Sequence, residues 1–445
     1  MRRSVAVAAA LATAAAAAAL AVAPAPGEGP LFRRQAPPPP RVQAELAWEI
    51  VLPGAPDGEL LVVDPAGAPV PPGTCGPCTP AEADGNATAS PRGGDGLLVL
   101  VPLPGAVEAR RPADGSLAWR ADGFDGAGLA AAAPVPTPRG PALAWAGPGR
   151  DGHGSFALLA LADGSPVVLR KLEGRPVGPP LPLPGSSPPR WLVPLAEGVV
   201  ELLDAAGRPL ERTVLPGEIR PPLLLVAGWP AAIVGDSRRL LPVGRPAPRR
   251  APERFDPRAV AACPGGGLFT ARGREVTRWR CRRLRRGGFR CRRRWTQVLG
   301  GRVLAPPLVL GETLVVGSLD THVYAFLRRN GHLLWRRSIG HRVASPVLHL
   351  VSNREDLLVV LPEATPEARF LRASDGEPAG TLAGPGEAVF LRGGALAGNR
   401  LLVPVRHPPY RETRLACWVI RVLPPGEGGA GGNNGGSLAP AGEQP

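Results

Sequence analysis

A turn glycine recurs along the chain at Gly67, Gly115, Gly164, Gly207, Gly288, Gly331 and Gly376, with gaps of 48, 49, 43, 81, 43 and 45 residues. A near-constant period of this size marks stacked repeats, each too small to bury a core alone. The clearest copy is residues 305–336. Within it, residues 308–310, 314–318, 323–326 and 333–335 read as four short strands, rich in the β-branched and aromatic residues that strands favour. Asn330-Gly331 predicts a type I′ hairpin turn, whose two central positions both take positive φ. Trp335 lies four residues beyond Gly331, where it can fill the space between neighbouring units.

Asp114-Gly115 precedes Trp119 with the same spacing. Asp163-Gly164, Ala206-Gly207 and Asp375-Gly376 keep the turn without the Trp, and Gly288 before Trp295 is a distorted copy. The gap of 81 is close to two periods, which places a degenerate unit near residues 234–243. Four short strands per period predict an all-β fold, a β-propeller of eight four-stranded blades, or seven if Gly67 is only a loop glycine. Residues 45–51 and 415–422 are expected to share one blade and close the ring, with Cys417 beside Trp418 helping to lock it.

The pattern resembles the PQQ-like, quinoprotein-type propeller repeat, whose hallmark is Ala-x-Asp-x-x-Thr-Gly-x-x-x-Trp. Residues 325–335 match best, with Phe326-Leu327 where the family has Leu-Asp and Asn330 for Thr; residues 109–119 follow, with Asp114 for Thr. The repeat-structural residues on this reading are Gly115, Trp119, Gly331 and Trp335. The resemblance covers residues 41–425 and is strong over two units. No Trp-Asp dipeptide occurs, which disfavours a WD-type propeller.

Gly and Pro number 58 each, far above ordinary usage, and the repeats account for them as turn punctuation. Arg numbers 51 against the single Lys171, so arginine is partly this chain's default cation. Arg2-Arg3, the apolar run over residues 5–22 and Ala21-Val22-Ala23 read as an export signal. Pro24 disfavours cleavage at that point, so the segment is either cut earlier or kept as an anchor. The expected organisation is a signal peptide or N-terminal anchor over residues 1–23, a proline-rich linker over 24–41, the propeller over 42–425, and a disordered Gly/Pro-rich tail over 426–445. The body is therefore expected outside the cytoplasm, in the periplasm or cell envelope, where disulfides persist.

Six cysteines, at 75, 78, 263, 281, 291 and 417, fit disulfide use in such a compartment. Cys75 with Cys78, and Cys281 with Cys291, are the nearest pairs. Cys75-Gly76-Pro77-Cys78 has the spacing of a thioredoxin-like dithiol. Thr74 stands where that motif has Trp, however, and a Gly- and Pro-rich stretch follows where a helix is needed to lower a thiol pKa. A small loop staple is the plainer reading.

Residues 278–294 hold ten arginines and no acid. The formal charge is +15, and taking away Arg2, Arg3 and these ten leaves +3. Nearly all the charge imbalance of the exported chain thus lies in one hairpin. Trp279, Leu284, Phe289 and Trp295 interleave with the charges, and Gly287-Gly288 supplies a turn. A two-residue turn there would pair Leu284 with Cys291; a direct Cys281–Cys291 bridge needs an odd-length loop, or else each cysteine has another partner. Packed like charges repel, so the hairpin is expected to project into solvent. The binding candidates are Arg282, Arg283, Arg285, Arg286, Arg290, Arg292, Arg293 and Arg294. Their planar forks suit carboxylate or phosphate on an anionic surface. The alternative is a solvated edge hairpin whose charge blocks aggregation.

The histidines, at 153, 322, 332, 341, 349 and 407, show no metal-ligand spacing. The resemblance extends to BamB-type outer-membrane assembly factors, and it implies a non-catalytic scaffold that docks an envelope protein. Those proteins carry a lipidated Cys after the signal, which this chain lacks. A quinoprotein dehydrogenase is the alternative, but its vicinal Cys-Cys pair is missing here; thiol-redox work by Cys75/Cys78 is a third. The expectation is a monomer with no enzyme activity, no cofactor, no metal, no nucleic-acid partner and no membrane contact beyond an uncleaved N-terminal segment.

Overall fold

The computed structural model describes residues 41–65, 96–129, 134–148, 153–183, 186–236, 239–244, 259–263, 267–285, 289–352, 355–409 and 412–423. The signal, the tail, Gly67, Gly288, Arg286, Cys75 and Cys78 lie outside them.

Eight antiparallel sheets follow one another along the chain. Blade 6 is the pattern for the rest: Leu308–Leu310, Thr313–Gly317, His322–Leu327 and Leu333–Ser338, each paired with the next. Blade 1 (residues 61–122), blade 2 (135–171), blade 3 (181–214), blade 5 (260–298) and blade 7 (348–383) repeat this four-strand order. Blade 4 has three strands among the described residues, Ile219–Val226, Trp229–Val234 and Arg239–Pro242, and is the degenerate unit. In blade 8, Arg400–Arg406 and Thr413–Leu423 are completed by the N-terminal strand Arg41–Val51. The first strands of neighbouring blades touch, Ala395–Ala397 against both Leu61–Val63 and Leu348–Leu350, so they line the axis and the fourth strands lie outermost.

The second and third strands are apolar on both faces because each blade is sandwiched between two others. Leu98–Leu103 is buried throughout, and so is Gly154–Ala160. Eight buried clusters result, each drawn from two adjacent blades. One of them joins Val99 and Val101 of blade 1 to Leu402, Leu415 and Cys417 of blade 8. The ring is therefore closed, with eight blades.

The glycine–tryptophan spacing works between blades. The indole N–H of Trp119 donates to the Leu161 carbonyl of the next blade at 2.7 Å, Trp295 to Arg328 at 3.0 Å and Trp335 to Ala373 at 3.2 Å. Each accepting carbonyl lies three residues before a turn glycine. The ring covers that glycine so closely that a Cβ on Gly164, Gly331 or Gly376 would come within 2.4, 2.7 or 2.5 Å of it. A β-bulge at the residue before each tryptophan aims it across the gap. Blade 2 carries Val168 at the tryptophan position, and Gly207 there meets Val168, Phe156 and Arg170 instead.

The turn differs from the expected type I′. Gly331 alone has positive φ, at 77°, and its N–H bonds to the Leu327 carbonyl four residues back. The Asn330 carboxamide oxygen accepts the His332 N–H, as Asp114, Asp163 and Asp375 accept from Ser116, Ser165 and Glu377. A four-residue loop has room for this side-chain bond and needs only one left-handed position.

Candidate functional site

The arginine segment is the outer hairpin of blade 5, formed by Glu275–Arg283 and Phe289–Val298. Its lower part keeps the register of blade 6: Arg278 opposes Trp295, a bulge falls at Arg294, and Trp279 opposes Arg293. Blade 6 turns soon after the equivalent point, whereas here the ladder continues through Arg280–Arg292, Cys281–Cys291, Arg282–Arg290 and Arg283–Phe289. Residues 284–288 connect the strands. Five connecting residues make an odd loop, which puts Cys281 directly opposite Cys291 and rules out the Leu284–Cys291 pairing. The two cysteines form a disulfide with Cα atoms 4.0 Å apart.

Strand alternation divides this finger into two faces. Cys281, Cys291 and Phe289 are buried against Ile233, Leu240, Val260 and Leu268 of blades 4 and 5. Trp229 of blade 4 packs there too, and the Arg283 guanidinium sits 5.2 Å from its ring centre. The opposite face carries Arg280, Arg282, Arg290, Arg292 and Arg294, all exposed. Together with Arg283 and Leu284 they line a concavity of about 330 Å³. Arg285 and Arg293 are exposed outside this row, and Arg286 lies outside the described residues.

The clustering of arginines without acids separates the finger from the rest of the ring. Elsewhere many arginines meet acids: Glu108, 2% exposed, holds Arg110 at 2.7 Å and Arg120 at 2.8 Å, and Arg372 meets Asp375 at 2.7 Å. Arg212, Arg328, Arg369 and Arg414 have carboxylate partners as well. Among the described residues, none of the exposed finger arginines has one. At the finger's base Arg278 is half-buried and donates to the Arg328 carbonyl at 2.7 Å. Burial, and then the charges of Arg328 and Arg294, hold its guanidinium below the usual arginine pKa.

Cys417 is buried and forms no disulfide. Its thiol points at the Pro112 carbonyl, 3.7 Å away, and burial pushes its pKa up to about 11. It contributes to ring closure by packing. Sequence reasoning missed Trp48. Its indole donates to the same Pro112 carbonyl at 3.0 Å and would touch a Cβ on Gly115 at 2.8 Å, so it is the clasp of blade 8. The signal was available: Leu46-Ala47-Trp48 repeats Leu117-Ala118-Trp119, although Leu143-Ala144-Trp145 does so too from a second strand.

A family model described as "Outer membrane protein assembly factor BamB" matches residues 290–391. The eight-bladed propeller of this chain thus contains a stretch similar to the PQQ-like repeat. Its fold is similar to the crystal structure of BamB from Moraxella catarrhalis, with TM-score 0.51 and 16% identity over 84% of this chain and 97% of that one. The computationally designed Ika8 protein (TM-score 0.49, 13% identity, 72% and 93% covered) and BBS1N in complex with ARL6DN (0.46, 13%, 86% and 98%) are further matches. No curated protein matches the sequence. The match begins inside the arginine finger, at Arg290, and ends beside Val389–Phe390 of blade 8.

Proposed function

We propose that this chain is an exported, non-catalytic scaffold that docks a protein partner in the cell envelope, a role like that of BamB-type assembly factors. The observation that carries this reading is the uncompensated arginine finger. The ring pairs many of its other arginines with acids, whereas here a cluster of arginines shares one hairpin face with no carboxylate partner among the described residues, on a hairpin tied by a disulfide and packed on Trp229. Exposed like charges in direct cross-strand register are destabilising, and an acidic partner reverses that cost. The Arg2-Arg3 start and apolar run support export. The likeness to BamB supports an envelope address, and the closed ring a role as a rigid platform.

The test is in-envelope crosslinking and pull-down with mass spectrometry. Wild type is compared with a variant carrying Gln at positions 282, 283, 285, 286, 292 and 293. The reading expects specific envelope proteins that disappear in the variant. Identical protein lists would remove the finger from the function.

A further inference from the structure

The finger's arginines are ordered as a ladder, and we propose that this ladder takes an extended acidic segment of a partner protein, with carboxylates at alternate positions. This inference rests on the scaffold reading above and deepens it. Arg280 opposes Arg292 and Arg282 opposes Arg290, so two cross-strand pairs stand on one face, with Arg294 continuing the row. Successive pairs are two residues apart, about 6.8 Å along a strand. An extended peptide repeats its same-face side chains at that distance. Each guanidinium presents a planar fork that binds a carboxylate through two parallel hydrogen bonds. The concavity is open to solvent, and Leu284 adds an apolar contact to its lining.

Two features favour this occupant over a lipid surface. A membrane-inserting tip exposes aromatic or large apolar side chains at its end. Here Phe289 is buried, Trp279 is half-buried, and Leu284 is the one exposed large apolar side chain among the described residues of 278–294. The back of the finger is packed on blade 4, so only the arginine face is offered, and that face is fixed in register by Cys281–Cys291. A preorganised array reads spacing as well as charge.

The experiment uses the full exported chain and fluorescence anisotropy. One probe is a peptide in which Glu alternates with Thr; the other has the same composition with its glutamates contiguous. Phosphatidylglycerol vesicles form a third arm. The ladder predicts that the alternating peptide binds at least about tenfold tighter than the contiguous one. It also predicts loss of that preference in R282Q/R290Q and its retention in R285Q/R293Q, which removes the same charge from outside the concavity. Thermal melts of both variants verify folding. Equal binding of the two peptides, equal loss in the two variants, or tighter binding to vesicles than to either peptide would overturn the ladder. An envelope partner captured without any spacing preference sinks the ladder alone. Spacing preference with no captured partner supports the ladder and sinks the scaffold role.

Discussion

The tryptophan–glycine clasp shows how much one residue carries. Gly331 combines a φ of 77° with a tryptophan ring 2.7 Å from where a Cβ would stand. Gly311, at φ 49°, faces open space. Left-handed strain costs an L-residue about 1–2 kcal/mol, and overpacking adds about as much again. Gly331→Ala is therefore expected to destabilise by about 3 kcal/mol and Gly311→Ala by about 1 kcal/mol in chemical denaturation. Similar losses would mean that the clasp does not hold the blades. Asp57 offers a test through pH. Burial, and then the hydrogen bond and charge of Asp125, push its carboxyl up to about 6 from 3.8. The folded state thus holds this proton more tightly than the unfolded chain, so Asp57 costs stability as pH rises from 3.8 through 6. Asp57→Asn should narrow the stability difference between pH 5 and pH 7 relative to wild type; an unchanged difference would contradict the shift.

At the scale of the element, the sequence shows strands and turns but hides register. The four strands of blade 6 are legible because β-branched runs alternate with turn residues. The bulge before each tryptophan is not, since it depends on which residues oppose one another and Leu334 looks like any strand residue. The type I′ expectation failed for the same reason. Asn-Gly fits that turn, yet the loop holds four residues and Asn330 spends its side chain on His332. In the finger, composition alone gave the hairpin and its charge. The odd loop, and with it the disulfide, was one of several options until the strands were paired. The disulfide closes a short loop, a constraint on the unfolded finger of about 2–3 kcal/mol. It should act locally, because the ring clusters do not depend on it. Cys281→Ser/Cys291→Ser is expected to open the finger to trypsin, with first cuts among residues 280–294, while the melting of the ring stays within a few degrees. Equal protease resistance with and without the disulfide would show that packing on Trp229 is sufficient.

For the whole molecule, period and blade count were legible because repeats impose the same solution each time. Closure was harder to read, because it joins residues far apart in sequence. Arg41–Val51 pairs with Thr413–Leu423 over the length of both strands, and Trp48 on that N-terminal strand clasps blade 1 as the other tryptophans clasp the blade that follows theirs. The clasp in blade 8 has a consequence that the others lack. Losing Trp119 loosens one interface between two blades whose strands are each consecutive in sequence. Losing Trp48 loosens the one interface where blade 8 is completed from the distant N-terminus. Removing a packed tryptophan costs about 3–5 kcal/mol, and the two alanine variants should be comparable in equilibrium stability. They should differ in kinetics. Trp48→Ala is expected to speed unfolding more than Trp119→Ala, since opening at the closure lets the N-terminal strand leave and exposes the Thr413–Leu423 edge. Stopped-flow unfolding of the two variants measures this directly, and equal unfolding rates would show that the ring opens elsewhere first.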